Sequence, residues 1–546
     1  MNAPHASASA SAYGYPLLIR HLWHAPLRVS PAQEIVCRDR RYTYRELHAR
    51  VGRTAGALAA LGVRQGDTVA VMDWDSHRYL ECFYAVPMMG AVLLTVNVRL
   101  SCEQILYTLN HSGASVLLVH DDFLPLLEEM RPRLEGVRCW VRLGDVEFDG
   151  RAPGAGAGDY EELLARAPEE FAFPDFDEHA RATTFYTTGT TGQPKGVFFS
   201  HRQLVLHTLA AMAALASPAS EQRFHRGDVY MPLTPMFHVH AWGLPYVALQ
   251  LGVKQVYPGR YEPYRLLELI EREGVTFSHC VPTILQMILS APDAARVDLS
   301  RWKVVIGGSA LAGGLAQAAR ARGIDLFGGY GMSETCPMLT LAQLHPQLGS
   351  QDPDEDVRFR CKAGAPIPLV DLRTVDADMQ DVRDDDAAGG EVVVRAPWLT
   401  QGYLGRPEAS DELWHGGYLH TQDVGYFERG YLKITDRIKD VIKTGGEWVS
   451  SVAIEDVISR HPAVAECAVI GVRDATWGER PLALVVARPG LAIDEAEIKR
   501  LVSEQAERGL LPRYAIPNRV LAVETLAKTS VGKHDKKLLR HRYAEA

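Results

Sequence analysis

The chain has 546 residues, 47% hydrophobic and 23% charged, which is enough apolar chain for large cores and excludes disorder, fibrous repeats and disulfide-stapled mini-folds. Its formal net charge of −9 has the wrong sign for a nucleic-acid binder, so no nucleic-acid partner is expected. Eight cysteines run from Cys37 to Cys467 without a CxxC pair or a Cys/His metal spacing, which suits thiols in a reducing, cytoplasmic setting.

Residues 1–15 form an Ala/Ser-rich stretch expected to be a disordered tail; it has neither the basic start nor the apolar core of a signal peptide. The longest apolar run, around Ala85 to Val98, is too short for a membrane span. An amphipathic helix is predicted over Leu47 to Leu61, then a strand at Thr68–Met72, a helix at Tyr79–Met89, a strand at Ala91–Val96, a helix at Glu103–Leu109 and a strand at Ala114–His120. This alternation argues for α/β layers. Residues 144–180 read as a surface excursion, after which strands are predicted at Ala182–Tyr186, Val229–Leu233, Val253–Val256, Lys303–Ile306 and Asp325–Phe327, and a helix at His201–Ala213. From 389 the period falls to two, with antiparallel-type strands at Glu391–Arg395 and Tyr431–Thr435. The remaining segment, 436–546, is predicted to be a separate α+β unit behind a large 16–435 unit. Its helices fall at Ser451–Arg460 and Asp494–Glu507, with Asp494 as N-cap, and its strands at Glu466–Val472 and Leu482–Ala487.

The segment with the most chemistry is Thr187-Thr-Gly-Thr-Thr-Gly-Gln-Pro-Lys195-Gly. Placed between a strand and a helix, its backbone N–H groups, the hydroxyls of Thr187, Thr188, Thr190 and Thr191, the flexible Gly189 and the Lys195 charge would wrap a phosphate chain. A P-loop ATPase motif ends in Gly-Lys-Ser/Thr; Pro194-Lys195-Gly196 does not fit it. Pro235-Met-Phe-His-Val-His-Ala-Trp242 carries two histidines two apart, without a third metal ligand in sight.

TTGTTGQPKG resembles the phosphate loop of the acyl-activating (AMP-forming) synthetase superfamily, and the other landmarks follow in order. They are Gly307-Gly-Ser-Ala310, Gly329-Tyr-Gly-Met-Ser-Glu-Thr335, Tyr418-Leu-His-Thr-Gln-Asp423, Asp436-Arg-Ile-Lys-Asp440, Gly445-Gly-Glu-Trp448 and Thr529-Ser-Val-Gly-Lys533. The resemblance runs from about Ala32 to Leu539, and the flanks FYTTGTTG and SHRQLVLHT look most like the medium- to long-chain fatty acyl-CoA synthetase branch.

The resemblance implies a large N-terminal domain of α/β layers with a distorted antiparallel barrel, and a small mobile C-terminal lid that swings about Asp436. It implies a carboxylic acid, ATP with Mg²⁺, and coenzyme A as co-substrate. The acid attacks the α-phosphorus to give an acyl-adenylate and pyrophosphate; the coenzyme A thiol then displaces AMP. Medium-chain fatty acids lead, with aryl, branched or sulfur-containing short acids behind them. A loader of a free acyl-carrier protein is the rival enzyme, and a homodimer is compatible with either.

By the same resemblance Lys533 and His238 are the catalytic residues and Glu334 the magnesium ligand, with Thr187 a direct or indirect partner. Gly308, Gly328, Gly329, Tyr330 and Ser333 border the nucleotide, and Asp423 takes the ribose hydroxyls with Arg437. Lys439, Lys443 and Trp448 reach the nucleotide from the small domain, and Trp242 matches an acyl-channel gate. Gln422 stands where the family commonly has glycine, and is expected to resist a left-handed backbone and alter the loop before Asp423.

Overall fold

The computed structural model describes residues 9–144, 156–187, 193–218, 222–346, 352–384, 389–444, 447–509, 511–529 and 532–543. Two mixed sheets and an antiparallel one build the large unit. The seven-stranded sheet has parallel strands Thr68–Met72, Val92–Thr95, Ala114–His120 and Cys139–Leu143 near its middle, with Lys195–Ser200 at its edge, antiparallel to Arg181–Thr187. The nine-stranded sheet carries Phe277–Cys280, Lys303–Ile306 and Asp325–Gly331 as parallel neighbours.

Parallel strands buried on both faces need unbroken apolar runs, and Thr68–Met72 is buried at every position. Between the sheets, the helix His77–Met88 is buried along its whole length, including His77, Arg78 and Glu81. Local chemistry sets several helix starts: Thr43, Ser101 and Ser200 each form a capping box with the residue three positions on.

The described part of the predicted excursion, 156–180, packs against the core. Asp159 caps a helix, Tyr160–Arg166, whose Tyr160 is buried and donates to the fully buried Glu81 at 2.7 Å. The tail is partly anchored too, since the Tyr13 hydroxyl donates to Asp175 at 2.9 Å. The strand Phe277–Cys280 has no counterpart in the predicted elements, being only four residues of mixed polarity.

A five-stranded antiparallel sheet follows, in which Tyr418–Glu428 pairs with both Gly390–Arg395 and Tyr431–Arg437. The C-terminal unit has its own five-stranded sheet, centred on the long antiparallel pair Val464–Asp474 and Gly478–Ala487, with the helices Ser451–Ser459 and Glu495–Glu507. Asp494 caps the second helix as predicted. This unit buries two small apolar clusters of its own, separate from the large unit's core. Among the described residues no helix is long and apolar enough to cross a membrane.

Candidate active site

The carboxyl ends of Phe277–Cys280, Lys303–Ile306 and Asp325–Gly331 open onto a cavity of about 2050 Å³, which the antiparallel sheet and the C-terminal unit close from the other side. Ligands of open parallel sheets bind at such strand ends. The volume exceeds the usual ~300–1,000 Å³ of a small-molecule pocket, leaving room for more than one substrate.

Glycines line the sheet side because no side chain fits. A Cβ at Gly307 would lie 2.8 Å from the Gly329 carbonyl and 3.0 Å from the Trp242 ring. At Gly328 it would lie 2.1 Å from the Lys362 carbonyl. Gly308 has φ +80°, and a Cβ there would come within 3.3 Å of Lys533 Cε. Gly329, Tyr330 and Ser333 line the same wall.

Asp423 and Arg437 face each other across the antiparallel pair, and Arg437 Nε donates to Asp423 Oδ1 at 3.1 Å. The Tyr330 hydroxyl donates to the other oxygen at 2.8 Å. Burial and the neighbouring Asp423 carboxylate hold the Tyr330 phenol well above its ordinary range, so it stays a neutral donor. The expectation for Gln422 is corrected here. It adopts φ +61°, the conformation a glycine would take, and its backbone N–H and side-chain amide both donate to Glu391 Oε1, at 3.1 and 3.2 Å. Two hydrogen bonds offset the Cβ penalty and keep the loop shape.

The phosphate-loop expectation needs a different correction. Thr187 ends one strand and Lys195 begins the next, and the two are cross-strand partners. The segment therefore joins two antiparallel strands, and the helix His201–Ala216 starts only after Lys195–Ser200, so the segment does not lead directly into a helix. Thr188, Gly189, Thr190 and Thr191 lie outside the described residues. Lys195 and Thr187 both line the cavity.

Glu334 is buried in the short turn Ser333–Thr335. Its Oε1 accepts from the Tyr403 hydroxyl at 2.7 Å, and its carbonyl accepts from Thr400 N–H at 2.9 Å. Lys195 Nζ stands 4.6 Å from the centroid of the same Tyr403 ring. Tyr403 thus connects the two segments that sequence reasoning treated separately, and no local pattern in Gly402-Tyr403-Leu404 singles it out. Among the described residues no three His, Cys, Asp or Glu side chains cluster as a metal cage. A single buried carboxylate linked through Tyr403 to the Lys195 cation fits Mg²⁺, which commonly takes one or two carboxylates and fills its shell with substrate phosphates and water.

Lys533 enters from the C-terminal unit. Its turn is closed by Thr529 N–H to the Lys533 carbonyl at 2.7 Å and by Lys533 N–H to Thr529 Oγ1 at 3.2 Å. Thr283 of the large unit donates to the Gly532 carbonyl at 3.2 Å, and Gly532 takes φ +83°. Burial, and then the positive Arg437, lower the Lys533 ammonium to about 8, against the opposing pull of Asp423 and Glu334. His238 lines the cavity; burial and the Lys533 charge push it down to about 3, so it is neutral at pH 7. His240 does not share its site. It is fully buried, edge-on to Phe185 and Phe199, and neither ring nitrogen has a partner among the described residues. A metal site built on the paired histidines therefore has no geometry behind it.

Directly after His238 the chain is left-handed from Val239 to Gly243, with φ of +48°, +56°, +48°, +59° and +72°. Non-glycine residues pay roughly 1–2 kcal/mol each for that conformation. The turn swings Trp242, 6% exposed, onto His279 with ring centroids 5.0 Å apart and against Gly307. Lys439 lines the cavity, whereas Lys443 is exposed and does not; its N–H donates to Glu479 at 2.9 Å. Trp448 pairs with Lys443 through the backbone of Glu447–Val449, and its side chain lies outside the described residues.

A family model described as "AMP-binding enzyme" matches residues 23–404, and one described as "AMP-binding enzyme C-terminal domain" matches 453–533. A long-chain-fatty-acid–CoA ligase of Thermus thermophilus is 40% identical, covering 92% of this chain and 90% of that protein. A 3-methylmercaptopropionyl-CoA ligase of Ruegeria lacuscaerulensis is 35% identical, covering 97% and 98%. Among solved structures, an anthranilate CoA ligase in complex with anthranoyl-AMP superposes with a TM-score of 0.85 at 25% identity, covering 97% and 98%.

Proposed function

The chain belongs to the AMP-binding enzyme family, and from that premise we propose that it ligates a carboxylic acid to coenzyme A with ATP, the acid being a medium-chain fatty acid. The observation that carries the reading is the entry of Lys533, from the C-terminal unit, to within 3.3 Å of the Cβ position of Gly308 in the large unit's cavity. A cation there can bridge a carboxylate and an α-phosphate while charge builds up in the transition state.

In the first step a carboxylate oxygen bonds to the α-phosphorus of ATP and pyrophosphate leaves. Asp423 and Arg437 hold the ribose, Gly308, Gly328, Gly329 and Tyr330 border the adenine with Ser333 beside them, and Lys439 adds charge from the small unit. Lys195, with the hydroxyl of Thr187 and the segment Thr188 to Thr191, binds the phosphates. Glu334 holds Mg²⁺, which when bound neutralises triphosphate charge. Neutral His238 donates a ring N–H hydrogen bond to the acid without pairing with it as a charge, so the carboxylate keeps its nucleophilicity. In the second step the coenzyme A thiol gives up its proton to solvent, its sulfur bonds to the acyl carbon, and AMP leaves with the electron pair of the broken acyl–phosphate bond.

Fatty acids are favoured by the flanks of the Thr187–Lys195 segment and by the apolar acyl wall of Val239, Trp242 and Met338. A second reading, a short sulfur-containing acid, is favoured by Trp242, whose ring packs against Gly307 in that wall. The test is pyrophosphate release across straight-chain, aryl and thioether acids, each with and without coenzyme A. Medium-chain acids should give the highest kcat/KM and coenzyme A-dependent AMP. A maximum at a thioether acid selects the second reading, and release that never needs coenzyme A rejects the thioester step.

A further inference from the structure

The helix Gly313–Ala321 borders the cavity and starts without a side-chain cap of its own, its N-cap residue being Ala312. Its first N–H groups need partners from elsewhere. One partner comes from the other unit: Gly313 N–H donates at 2.8 Å to Oδ1 of Asp456, on the helix Ser451–Ser459. Asp456 is held in place by Arg460, whose Nη2 donates to Oδ2 at 2.6 Å. The fit leaves no room for side chains. A Cβ at Gly314 would lie 2.7 Å from the Ser459 carbonyl, and one at Gly313 would lie 3.2 Å from Asp456 Oδ1. The unit docked through this contact is the one that carries Lys533.

We propose that Asp456 caps the helix Gly313–Ala321 across the two units and so holds the C-terminal unit where Lys533 enters the cavity. Asp456 is then a positioning residue for adenylate formation, a role that rests on the two-step reading above. The glycine pair is the other half of the device. Alanine is a better helix former than glycine, so Gly314→Ala strengthens the helix locally and opposes docking alone.

The test combines acetic-anhydride labelling of Lys533, read by mass spectrometry against Lys499 as reference, with the two half-reactions assayed separately. Asp456→Ala and Gly314→Ala should raise Lys533 labelling several-fold and slow adenylation about 3- to 30-fold, the range of a lost helix cap. Thioester formation from synthetic acyl-adenylate should be unchanged. Asp456→Asn keeps the acceptor and should stay close to the parent enzyme. If Asp456→Ala does not fold, Gly314→Ala and Asp456→Asn decide the matter. Unchanged labelling in Gly314→Ala, or equal losses in both half-reactions, overturns the proposal. If the parent enzyme releases no pyrophosphate with any acid, the two-step reading fails, and Lys533 labelling still decides whether Asp456 docks the unit.

Discussion

The Tyr403 hydroxyl donates to Glu334 Oε1 at 2.7 Å while its ring lies 4.6 Å under the Lys195 ammonium. One side chain therefore fixes a buried carboxylate and a cavity cation that lie 139 positions apart in sequence. Burial and the Glu334 charge keep the phenol well above its ordinary range, so it remains a donor at working pH.

If that link orients Glu334 for Mg²⁺, Tyr403→Phe keeps the ring under Lys195 and removes only the hydroxyl. The Mg²⁺ concentration for half-maximal adenylation should rise about 10-fold, within the ~10–100-fold usual when a ligand's supporting hydrogen bond is lost. Glu334→Gln should abolish ATP-dependent turnover with melting nearly unchanged. Titrating Mg²⁺ against pyrophosphate release checks both; a Glu334→Gln enzyme active at low Mg²⁺ rejects the assignment.

Lys533→Ala should slow adenylation by about 10²–10³-fold, the size of one lost charge-stabilising donor. Thioester formation from preformed acyl-adenylate should survive, since on the proposed reading the lysine serves the first step. Equal losses in both steps would reject that division of labour.

The same lysine sets an alkaline limit. Its ammonium is lowered to about 8 by burial and Arg437, so the charged form prevails below that pH and disappears above it. The kcat/KM of adenylation, which reports the free enzyme, should fall as pH rises through about 8. Bound triphosphate favours the ammonium and should move the corresponding limb of kcat upward. A limb that persists in Lys533→Ala would belong to another group.

Acid stability follows from the core histidines. Burial pushes His201, His207, His240 and His279 down to about 3, so they fold neutral. The unfolded chain protonates them below about 6.5, and between that pH and about 3 it binds more protons than the folded state. Stability should therefore be fully present above about 6.5 and fall as pH drops. Thermal melts from pH 7.5 to 5 check this, and His240→Phe, which fits an aromatic surround, should flatten the decline.

Trp242 separates packing from gating. A plain core tryptophan truncated to alanine would lose ~3–5 kcal/mol and affect every acid alike. A gate variant would admit bulkier acids and relax any order in which nucleotide precedes acid. Melting temperature and chain-length profile measured on one Trp242→Ala preparation distinguish the two outcomes.

Sequence alone determined the α/β layering, because apolar runs bounded by turn residues can bury both faces only in a covered parallel sheet. It also picked out Lys195, Glu334, Asp423 and Lys533, because motif order survives without coordinates. It misjudged the surroundings wherever the answer depended on distant chain. Gln422 keeps a left-handed backbone because Glu391, on the neighbouring strand, bonds it twice. The Thr187–Lys195 segment does not lead directly into a helix because an edge strand intervenes, a pairing set by the sheet and not by composition. His238 and His240, two residues apart, part company because a left-handed turn aims one at the cavity and the other at a cluster of phenylalanines. Tyr403 and Asp456 were invisible for the same reason: a hydrogen bond's partner is a matter of position in space, and only the folded chain brings Tyr403 to Glu334 and Asp456 to the bare end of Gly313–Ala321.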